Sequence, residues 1–264
     1  MTTTIVGGGN MGEALLAGLL AGGGSPAEIT VVEPAPARAE YLRSRYDVTV
    51  TSLGEAVAKA DALLITVKPY HFAALLDELA SLVTPGQLLV SAVGGTPTSG
   101  IEARLPGEPV VVRSMPNLPV SLGAGTIAIS AGRYAAAADL DRVKTLLAPL
   151  GRVVTVQESQ LDTVTALSGG GPAYFALLAE AMIDAGVLAG LPRPLSEELV
   201  LATAAGAGRM LGEPDADPAQ LRAAVCSPGG TTITAIQELE SRALRAAVMS
   251  AVVAARDRSI EMGR

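Results

Sequence analysis

A glycine-rich turn near the start of the chain has the spacing of a phosphate-binding loop. Gly7, Gly9 and Gly12 follow a short apolar segment and precede a stretch with helical spacing. In such turns the first glycine permits a tight bend, the second lets the backbone approach a pyrophosphate, and the third lets helix and strand pack closely. The first N–H groups of the helix then face the phosphates. The motif predicts a dinucleotide site made of Val6, Gly7, Gly8, Gly9, Asn10, Met11 and Gly12.

Two charged residues bear on which dinucleotide would bind. Glu33 ends the second predicted strand, about 20 residues after the glycines, where an acid accepts hydrogen bonds from a ribose diol and repels a 2′-phosphate. Arg38 lies shortly after it and has the opposite preference, because a guanidinium pairs with phosphate. The sequence leaves NADH and NADPH both open.

Two later segments follow buried strands and would meet the glycines at the carboxyl edge of a parallel sheet, where ligands of open α/β sheets bind. We expect the backbone of Thr66, Val67, Lys68 and Pro69 to line the cofactor, with Lys68 either reaching phosphate or ribose or remaining solvated. The Val93-Gly94-Gly95 segment either passes beneath the nicotinamide, through Gly94 and Gly95, or is a plain turn.

A second glycine pair lies near the start of the last helical stretch, in the segment Cys226-Ser227-Pro228-Gly229-Gly230-Thr231-Thr232. Ser227 is a good N-cap, and Pro228 suits the first helical position. Gly229 and Gly230 leave backbone N–H groups bare at a helix start, which suits a substrate carboxylate. The alternative is an ordinary capped helix with a loose first turn.

Alternating strands and helices must position the first group of segments. Apolar runs predict strands over 3–6, 29–33, 62–67, 87–93, 110–113, 126–130 and 152–156, with 126–130 at the sheet edge. Helical spacing predicts helices over 10–22, 36–46, 70–83 and 136–149. This rhythm predicts an α/β fold, with a Rossmann-like, doubly wound and mostly parallel sheet over residues 1–157.

After residue 157 the predicted elements are all helical, over 160–190, 194–212 and 229–262. The last would be a single helix of about 34 residues, well above the usual mean of about 11–12. It carries more apolar surface than one small domain can cover. We therefore predict an all-α domain over 158–264 that forms a homodimer through its C-terminal helices.

The composition of the 264 residues excludes several classes of protein. The net charge is −7 without any basic cluster, so no nucleic-acid partner is expected. One His, His71, and one Cys, Cys226, are too few for a Cys/His zinc site or an intramolecular disulfide, and we predict no metal. No uninterrupted run of about 18 apolar residues is present, so we expect no membrane span and a cytoplasmic location.

Motifs along essentially the whole chain resemble the pyrroline-5-carboxylate reductase family of proline biosynthesis. They are IVGGGNMGEAL near the start, TVKP at 66–69, VVRSMPNLP at 111–119, LSGGGPAY at 167–174, GLPR at 190–193 and CSPGGTT at 226–232. The resemblance implies hydride transfer from NADPH or NADH to the imine carbon of 1-pyrroline-5-carboxylate, a cyclic imino acid, giving L-proline. It also implies interlocked homodimers, which the family often assembles into a decamer of five dimers.

The resemblance implies roles for individual residues as well. The substrate carboxylate would rest on the Gly-Gly-Thr backbone, and the hydroxyl of Thr232 would lie beside the imine nitrogen as hydrogen-bond donor and proton relay, which makes Thr232 the catalytic residue. The implied substrate-binding residues are Ser227, Gly229, Gly230, Thr231, Met115 and Asn117.

Three departures from the family's usual pattern keep one alternative open. Gly170 replaces a serine, Val93-Gly94-Gly95-Thr96 replaces Ala-Ala-Gly-Val, and Ala223 replaces an aspartate. The alternative is a specialised imine reductase of the same family that acts on another cyclic imino acid. β-Hydroxyacid dehydrogenases use a lysine of the helical domain, and no lysine follows Lys144. A non-catalytic dinucleotide sensor would not need the segment 226–232.

Overall fold

The computed structural model describes residues 1–263, and the chain divides into two compact units. The sheet unit comprises Met1–Gly170 together with the chain from Ala254 onward, and the helical unit comprises Gly171–Val253. The domain boundary that we placed at residue 157 stays a prediction. By its contacts the segment 158–170 belongs with the sheet.

The elements of the sheet unit alternate as expected. Within residues 1–263 its strands are β1 (Thr3–Val6), β2 (Ile29–Val32), β3 (Thr49–Val50), β4 (Ala62–Ile65), β5 (Leu88–Ser91), β6 (Val110–Met115), β7 (Gly125–Ala131) and β8 (Gly151–Thr155). Its helices are α1 (Asn10–Ala21), α2 (Pro36–Tyr46), α3 (Leu53–Val57), α4 (Pro69–Leu79), α5 (Thr98–Glu102), α6 (Ala137–Leu147) and α7 (Leu161–Val164). The remaining helices are α8 (Gly171–Leu188), α9 (Arg193–Gly212), α10 (Pro218–Val225), α11 (Thr231–Ser241) and α12 (Leu244–Met262).

All eight strands form one sheet in the order β3-β2-β1-β4-β5-β6-β7-β8. Every neighbouring pair is parallel except β6 and β7, which are antiparallel. The prediction of a doubly wound, mostly parallel sheet is thus confirmed. The prediction that 126–130 lies at the sheet edge is wrong, because β8 pairs with β7 on its outer side and is itself the edge.

Helices cover both faces of the sheet, so its central strands are buried throughout. Along β4 the side chains alternate between two apolar clusters. Leu64 belongs to the cluster that contains Leu16 of α1, whereas Leu63 and Ile65 belong to the cluster that contains Phe72 of α4. Full burial of each such side chain stabilises the fold by roughly 1.5–3 kcal/mol. The core therefore holds the carboxyl ends of the strands rigidly.

In the helical unit, α8 and α9 pack closely where Gly186 faces Ser196. A Cβ built on Gly186 would lie 2.1 Å from Ser196 Oγ, so only glycine allows this approach. The buried Ser196 hydroxyl donates a hydrogen bond to the Ile183 carbonyl at 2.8 Å. Small residues here thus bring the two helices together.

The prediction of one helix over 229–262 is wrong. The helical stretch ends at Ser241 and begins again at Leu244, and Ala243 between them has a left-handed backbone with φ 57°. The Ala243 N–H donates to the Glu240 carbonyl at 2.9 Å, which closes α11 with a tight turn. Neither glycine nor proline marks this break in the sequence.

Among residues 1–263 one helical stretch, Glu158–Leu188, is long and apolar enough to span a membrane by length and composition, because it contains an 18-residue window with a mean hydropathy of 1.3. The sequence predicts no membrane span, because the chain has no uninterrupted apolar run of about 18 residues. The stretch meets the criterion of length and composition although polar residues interrupt it, because its apolar window contains few charged residues. It is built from a 3-10 turn, α7, a π turn over Thr165–Gly169 and α8. The absence of a membrane partner stays a prediction.

Candidate dinucleotide and substrate site

Loops at the carboxyl ends of β1, β4, β5 and β6 meet at one edge of the sheet, because these strands are parallel neighbours. They carry the glycine loop (Gly7–Gly12), the segment from Thr66 to Pro69, the Gly94-Gly95 pair, and Asn117. Ligands of doubly wound sheets bind at this edge. The topology therefore brings together the segments predicted to hold the cofactor.

The glycine loop is tight on one side and open on the other. Gly7 has φ +106°, and its carbonyl accepts a hydrogen bond from the Thr66 hydroxyl at 2.8 Å. A Cβ on Gly12 would lie 1.9 Å from the Gly7 oxygen, whereas a Cβ on Gly9 would have nothing within 4 Å. Because α1 begins beside this space, with its first N–H groups lacking intrahelical partners, the loop fits a pyrophosphate.

Glu33 lies beside the glycine loop with both carboxylate oxygens bonded to backbone. Oε2 accepts the Gly8 N–H at 3.0 Å, and Oε1 accepts the Ala35 N–H at 2.8 Å. Arg38 donates from Nε to the Gly8 carbonyl at 2.7 Å and pairs through its guanidinium with Glu13. Both charged residues singled out in the sequence therefore lie at the loop.

Two phenols also donate to the Glu13 carboxylate, Tyr41 at 2.9 Å and Tyr46 at 2.8 Å. Burial alone would raise the pKa of Glu13, but hydrogen bonds from Arg38, Tyr46 and Tyr41 outweigh it and lower the pKa below its ordinary value. Burial and the bond to Glu13 raise the pKa of Tyr46 to about 12. The Glu13 carboxylate thus accepts hydrogen bonds from one guanidinium and two phenols.

Lys68 and His71 lie at the start of α4, and both are exposed. The Lys68 carbonyl accepts the His71 N–H at 2.9 Å, and the imidazole lies against the Tyr70 ring with a centroid distance of 4.4 Å. Lys68 is free to turn toward a ligand at the sheet edge, and its predicted contact with the cofactor stays a prediction.

Met262 and Gly263 lie against the Gly94-Gly95 loop, a contact that sequence reasoning did not foresee. Gly95 has φ +81°, and a Cβ there would lie 3.0 Å from the Met262 carbonyl and 3.2 Å from Gly263 Cα. The last turn of α12 therefore packs on the loop predicted to lie beneath the nicotinamide. No local pattern in the sequence could signal a contact over so long a separation.

The side-chain amide of Asn117 is hydrogen-bonded within the sheet unit on both its nitrogen and its oxygen. Its Nδ2 donates to the Ser168 carbonyl at 3.1 Å, and its Oδ1 accepts the Thr126 N–H at 2.8 Å. Met115 contacts the same region, because its Cε would lie 2.8 Å from a Cβ on Gly169. Asn117 thus ties the end of β6 to the segment 165–169.

That segment is a π turn, in which the Gly170 N–H bonds to the Thr165 carbonyl at 2.9 Å. Single π turns inside helical stretches are frequent at functional sites. Gly170, one of the three departures noted in the sequence, closes this turn.

The predicted carboxylate site in the helical unit begins with a β-turn over Ser227–Gly230, here called the clamp turn. The Gly230 N–H donates to the Ser227 carbonyl at 3.0 Å, and Gly229 has φ +65°. Proline second and a positive-φ glycine third define a type II turn. The prediction that Ser227 caps the helix is wrong, because Gly230 is the N-cap and α11 begins at Thr231.

This turn changes which N–H groups are free for a ligand. Gly230 uses its own N–H in the turn, and the first N–H bonded within the helix is that of Thr234, to the Gly230 carbonyl at 3.3 Å. The N–H groups of Thr231 and Thr232 therefore stand at the open end of α11, where an anion is favoured. The side chain of Thr232 is half-buried, whereas that of Thr231 is exposed.

Comparison with known proteins gives the family. Residues 158–262 match the model described as pyrroline-5-carboxylate reductase dimerisation, and residues 2–95 match the model described as NADP oxidoreductase, coenzyme F420-dependent. A pyrroline-5-carboxylate reductase from Mycobacterium tuberculosis is 42% identical over 98% of this chain and 95% of its own length.

The chain belongs to the pyrroline-5-carboxylate reductase family.

Solved structures agree over the whole length. A pyrroline-5-carboxylate reductase from Coxiella burnetii superposes with a TM-score of 0.92 and 33% identity, over 100% of this chain and 98% of that one. A pyrroline carboxylate reductase from Plasmodium falciparum, solved with NADP bound, superposes with a TM-score of 0.88 and 30% identity, over 100% of this chain and 98% of that one. The resemblance read from the motifs is therefore confirmed, and the chain is an NAD(P)H-dependent oxidoreductase of this reductase family.

The residues predicted for the two halves of the reductase site fall into different units. The glycine loop, Glu33, the residues 66–69, Gly94, Gly95, Met115 and Asn117 are in the sheet unit, whereas the clamp turn, Thr231 and Thr232 are in the helical unit. Sequence reasoning missed Glu13 as the partner of Arg38, although a carboxylate next to the third glycine was visible in the motif.

Proposed function

We propose that this chain reduces the imine bond of 1-pyrroline-5-carboxylate with NADPH or NADH and releases L-proline. The observation that carries the proposal is the clamp turn followed by the open start of α11, in a chain that matches reductases of this family over nearly its full length. An anion-binding helix start with a hydroxyl in its first turn suits an imino acid, which presents a carboxylate and a ring nitrogen.

The reaction needs little acid–base power from the protein. The bound dihydronicotinamide supplies a hydride, which adds to the imine carbon, while the nitrogen keeps or gains a proton, so that C=N becomes CH–NH. A protonated imine is already electrophilic, and the main task of the chain is to hold the two reactants in line. Positioning of this kind requires no histidine, which agrees with the exposed place of His71.

In the proposed site the N–H groups of Thr231 and Thr232 hold the substrate carboxylate, and the clamp turn, with Ser227, Gly229 and Gly230, fixes where they point. The Thr232 hydroxyl donates to the ring nitrogen and relays its proton. The proposed substrate-binding residues of the sheet unit are Met115 and Asn117, and Asn117 acts as a positioning residue, because its amide is already bonded to Ser168 and Thr126.

The cofactor in this proposal extends along the sheet edge. Its pyrophosphate lies at the glycine loop, its adenosine ribose at Glu33, and its nicotinamide at Gly94 and Gly95. Thr66 braces the loop through its bond to Gly7, and Val67, Lys68 and Pro69 line the middle of the cofactor.

The proposed assembly is a homodimer through the helical unit, placed in the cytoplasm and further arranged as five dimers. Its support is the dimerisation match over 158–262 and the many large apolar side chains that the helical unit exposes. The apolar stretch Glu158–Leu188 falls within that match, so an interface between subunits accounts for its composition.

The test follows oxidation of NADPH, and separately of NADH, in the presence of pyrroline-5-carboxylate and identifies proline as the product. Thr232→Ala is expected to lower turnover by about 100-fold or more, because it removes the proton donor, while the fold and cofactor binding persist. Thr145→Ala is the matched control, since Thr145 is exposed on α6 and its hydroxyl donates to the Asp141 carbonyl at 2.9 Å.

Two outcomes would contradict this assignment. Wild-type rates in Thr232→Ala would show that the hydroxyl has no part in the chemistry. A folded wild-type protein that binds cofactor but reduces no pyrroline-5-carboxylate would favour the alternative of another cyclic imino acid, and the departures at Gly170, 93–96 and Ala223 would then be examined first.

A further inference from the structure

The Glu33 carboxylate is held in place by two backbone donors at the end of β2. With the Gly8 N–H on Oε2 and the Ala35 N–H on Oε1, it keeps spare lone pairs that can accept further hydrogen bonds. In doubly wound sheets the adenosine ribose lies over this strand end. A carboxylate here can accept both hydroxyls of a free ribose, but it repels a 2′-phosphate.

Arg38 is the cation placed to offset that repulsion, and it is already engaged. Its Nε donates to the Gly8 carbonyl at 2.7 Å, and its guanidinium pairs with Glu13. The guanidinium carbon also lies 5.0 Å from the centroid of the Tyr41 ring. A phosphate would have to displace Glu13 to form the forked pair that guanidinium groups make with phosphate.

The other cations of α2 are directed elsewhere. Arg43 donates to the Val50 carbonyl at 2.9 Å and pairs with Glu40 at 3.5 Å. Arg45 lies over the Tyr46 ring, 5.9 Å from its centroid. The ribose end of the site therefore presents two carboxylates, Glu33 and Glu13, against one engaged guanidinium.

We infer that Glu13 withholds Arg38 from a 2′-phosphate and, together with Glu33, makes this nucleotide site selective for NADH over NADPH. The inference rests on the proposed function only for the place of the cofactor, and it concerns the adenosine end rather than the reacting end. Glu13 acts as a positioning residue, since it reaches the nucleotide through Arg38.

The first measurement is binding without any imine. NADH and NADPH are titrated by following the fluorescence of the dihydronicotinamide, which is excited at wavelengths that no protein side chain absorbs. Calorimetry with 5′-AMP and 2′,5′-ADP measures the effect of the 2′-phosphate alone, because the two nucleotides differ only in that group. The expected Kd for NADH is at least about tenfold below that for NADPH, because a fixed carboxylate within several ångströms of a phosphate repels it strongly at a protein surface.

Three variants distinguish the effects of Glu33 and Glu13 on the preference for NADH. Glu33→Gln should reduce the NADPH-to-NADH ratio of Kd values by about tenfold, mainly through tighter NADPH binding, because the charge is lost while the shape is kept. Glu13→Gln should shift the ratio the same way with little change for NADH, because Arg38 is released. The double variant should favour NADPH. Glu28→Gln, at the opposite end of β2, is the matched control and should leave the ratio unchanged.

Equal wild-type Kd values, tighter binding of NADPH, or a ratio unmoved in both single variants would overturn the inference. If Glu33→Gln fails to fold, Glu13→Gln and the two adenosine fragments on the wild type still decide it. Failure of the proposed function gives a different result, namely a retained NADH preference in binding with no turnover of pyrroline-5-carboxylate. Turnover with equal affinities for both cofactors would refute the inference alone.

Discussion

At the scale of single residues, two glycines of one motif have separable tasks. Gly9 borders open space, and a Cβ there would meet nothing within 4 Å, whereas a Cβ on Gly12 would lie 1.9 Å from the Gly7 oxygen. We expect Gly9→Ala to lower the free energy of unfolding by less than about 1 kcal/mol, as an N-cap change. It should nevertheless weaken NADH binding more than about tenfold, because its methyl group takes the space of the pyrophosphate.

Gly12→Ala should lower both the stability and the affinity for NADH. We expect the free energy of unfolding to fall by about 1–3 kcal/mol, because the added methyl group would overlap the Gly7 backbone, which has no room to move. Thermal melts and fluorescence titrations of both variants check this pair. Undiminished binding by Gly9→Ala would place the pyrophosphate elsewhere.

The glycine motif could be predicted from sequence because its spacing carries its own geometry, and the structure has that geometry at Gly7 and Gly12. The capping role given to Ser227 was wrong, although the signal for the correct turn was present: Pro228 followed by Gly229 is the usual pair for a type II turn. The two bonds of Asn117 had no such signal, since Thr126 and Ser168 are distant in sequence and meet it only through the sheet.

At the scale of elements, the close approach of α8 and α9 depends on one missing side chain. Gly186→Ala would put a Cβ 2.1 Å from Ser196 Oγ and disturb its bond to the Ile183 carbonyl. We expect the free energy of unfolding to fall by about 1–3 kcal/mol, because a buried contact is overpacked. Chemical denaturation measures the change.

Gly54→Ala in α3 is the control for that substitution, because a Cβ there meets only Leu82 at an ordinary 3.9 Å. It should stabilise the chain by about 0.4–1 kcal/mol through the lower entropy of the unfolded state. If Gly186→Ala instead unfolded at the wild-type denaturant concentration, the two helices would have room that the structure does not show.

Strands buried on both faces were the most predictable elements. β4 is a continuous apolar run and was found within a residue or two of its bounds. The two-residue β3 and the five-residue helices α3 and α5 escaped prediction, because they are shorter than the period that would reveal them. The break at Ala243 escaped because a non-glycine residue takes the left-handed conformation there.

At the scale of the whole molecule, the helical unit exposes many large apolar side chains, as surfaces that bind another protein do. Large side chains stand exposed on α8, α9 and α12, among them Leu188 at 90%, Leu199 at 51% and Met249 at 63%. The same unit lies inside the dimerisation match of the family. In the proposed homodimer, a second copy of the chain covers this surface.

Val248→Glu should therefore weaken the dimer more than about 100-fold, because a charge would be buried at an apolar interface. Val248 is 51% exposed in the single chain and lines an apolar groove with Ile236 and Leu244. Sedimentation velocity across a range of concentrations measures the shift. Ala138→Glu, exposed in the first turn of α6, adds the same charge away from the apolar surface and should leave a dimer. If the Val248→Glu variant remained a dimer, the interface would not include this face of α12.

A dimer formed through the apolar surface of the helical unit, as proposed here, would also make the stability of this protein depend on its concentration. When folding and association are coupled, the equilibrium lies between two unfolded chains and one folded dimer. The melting temperature therefore rises with protein concentration. Dilution then lowers the stability of the folded chain, because it favours dissociation of the dimer. A preparation that is active in a concentrated stock would lose specific activity on standing at low concentration, and added cofactor that binds only the assembled form would slow that loss by mass action.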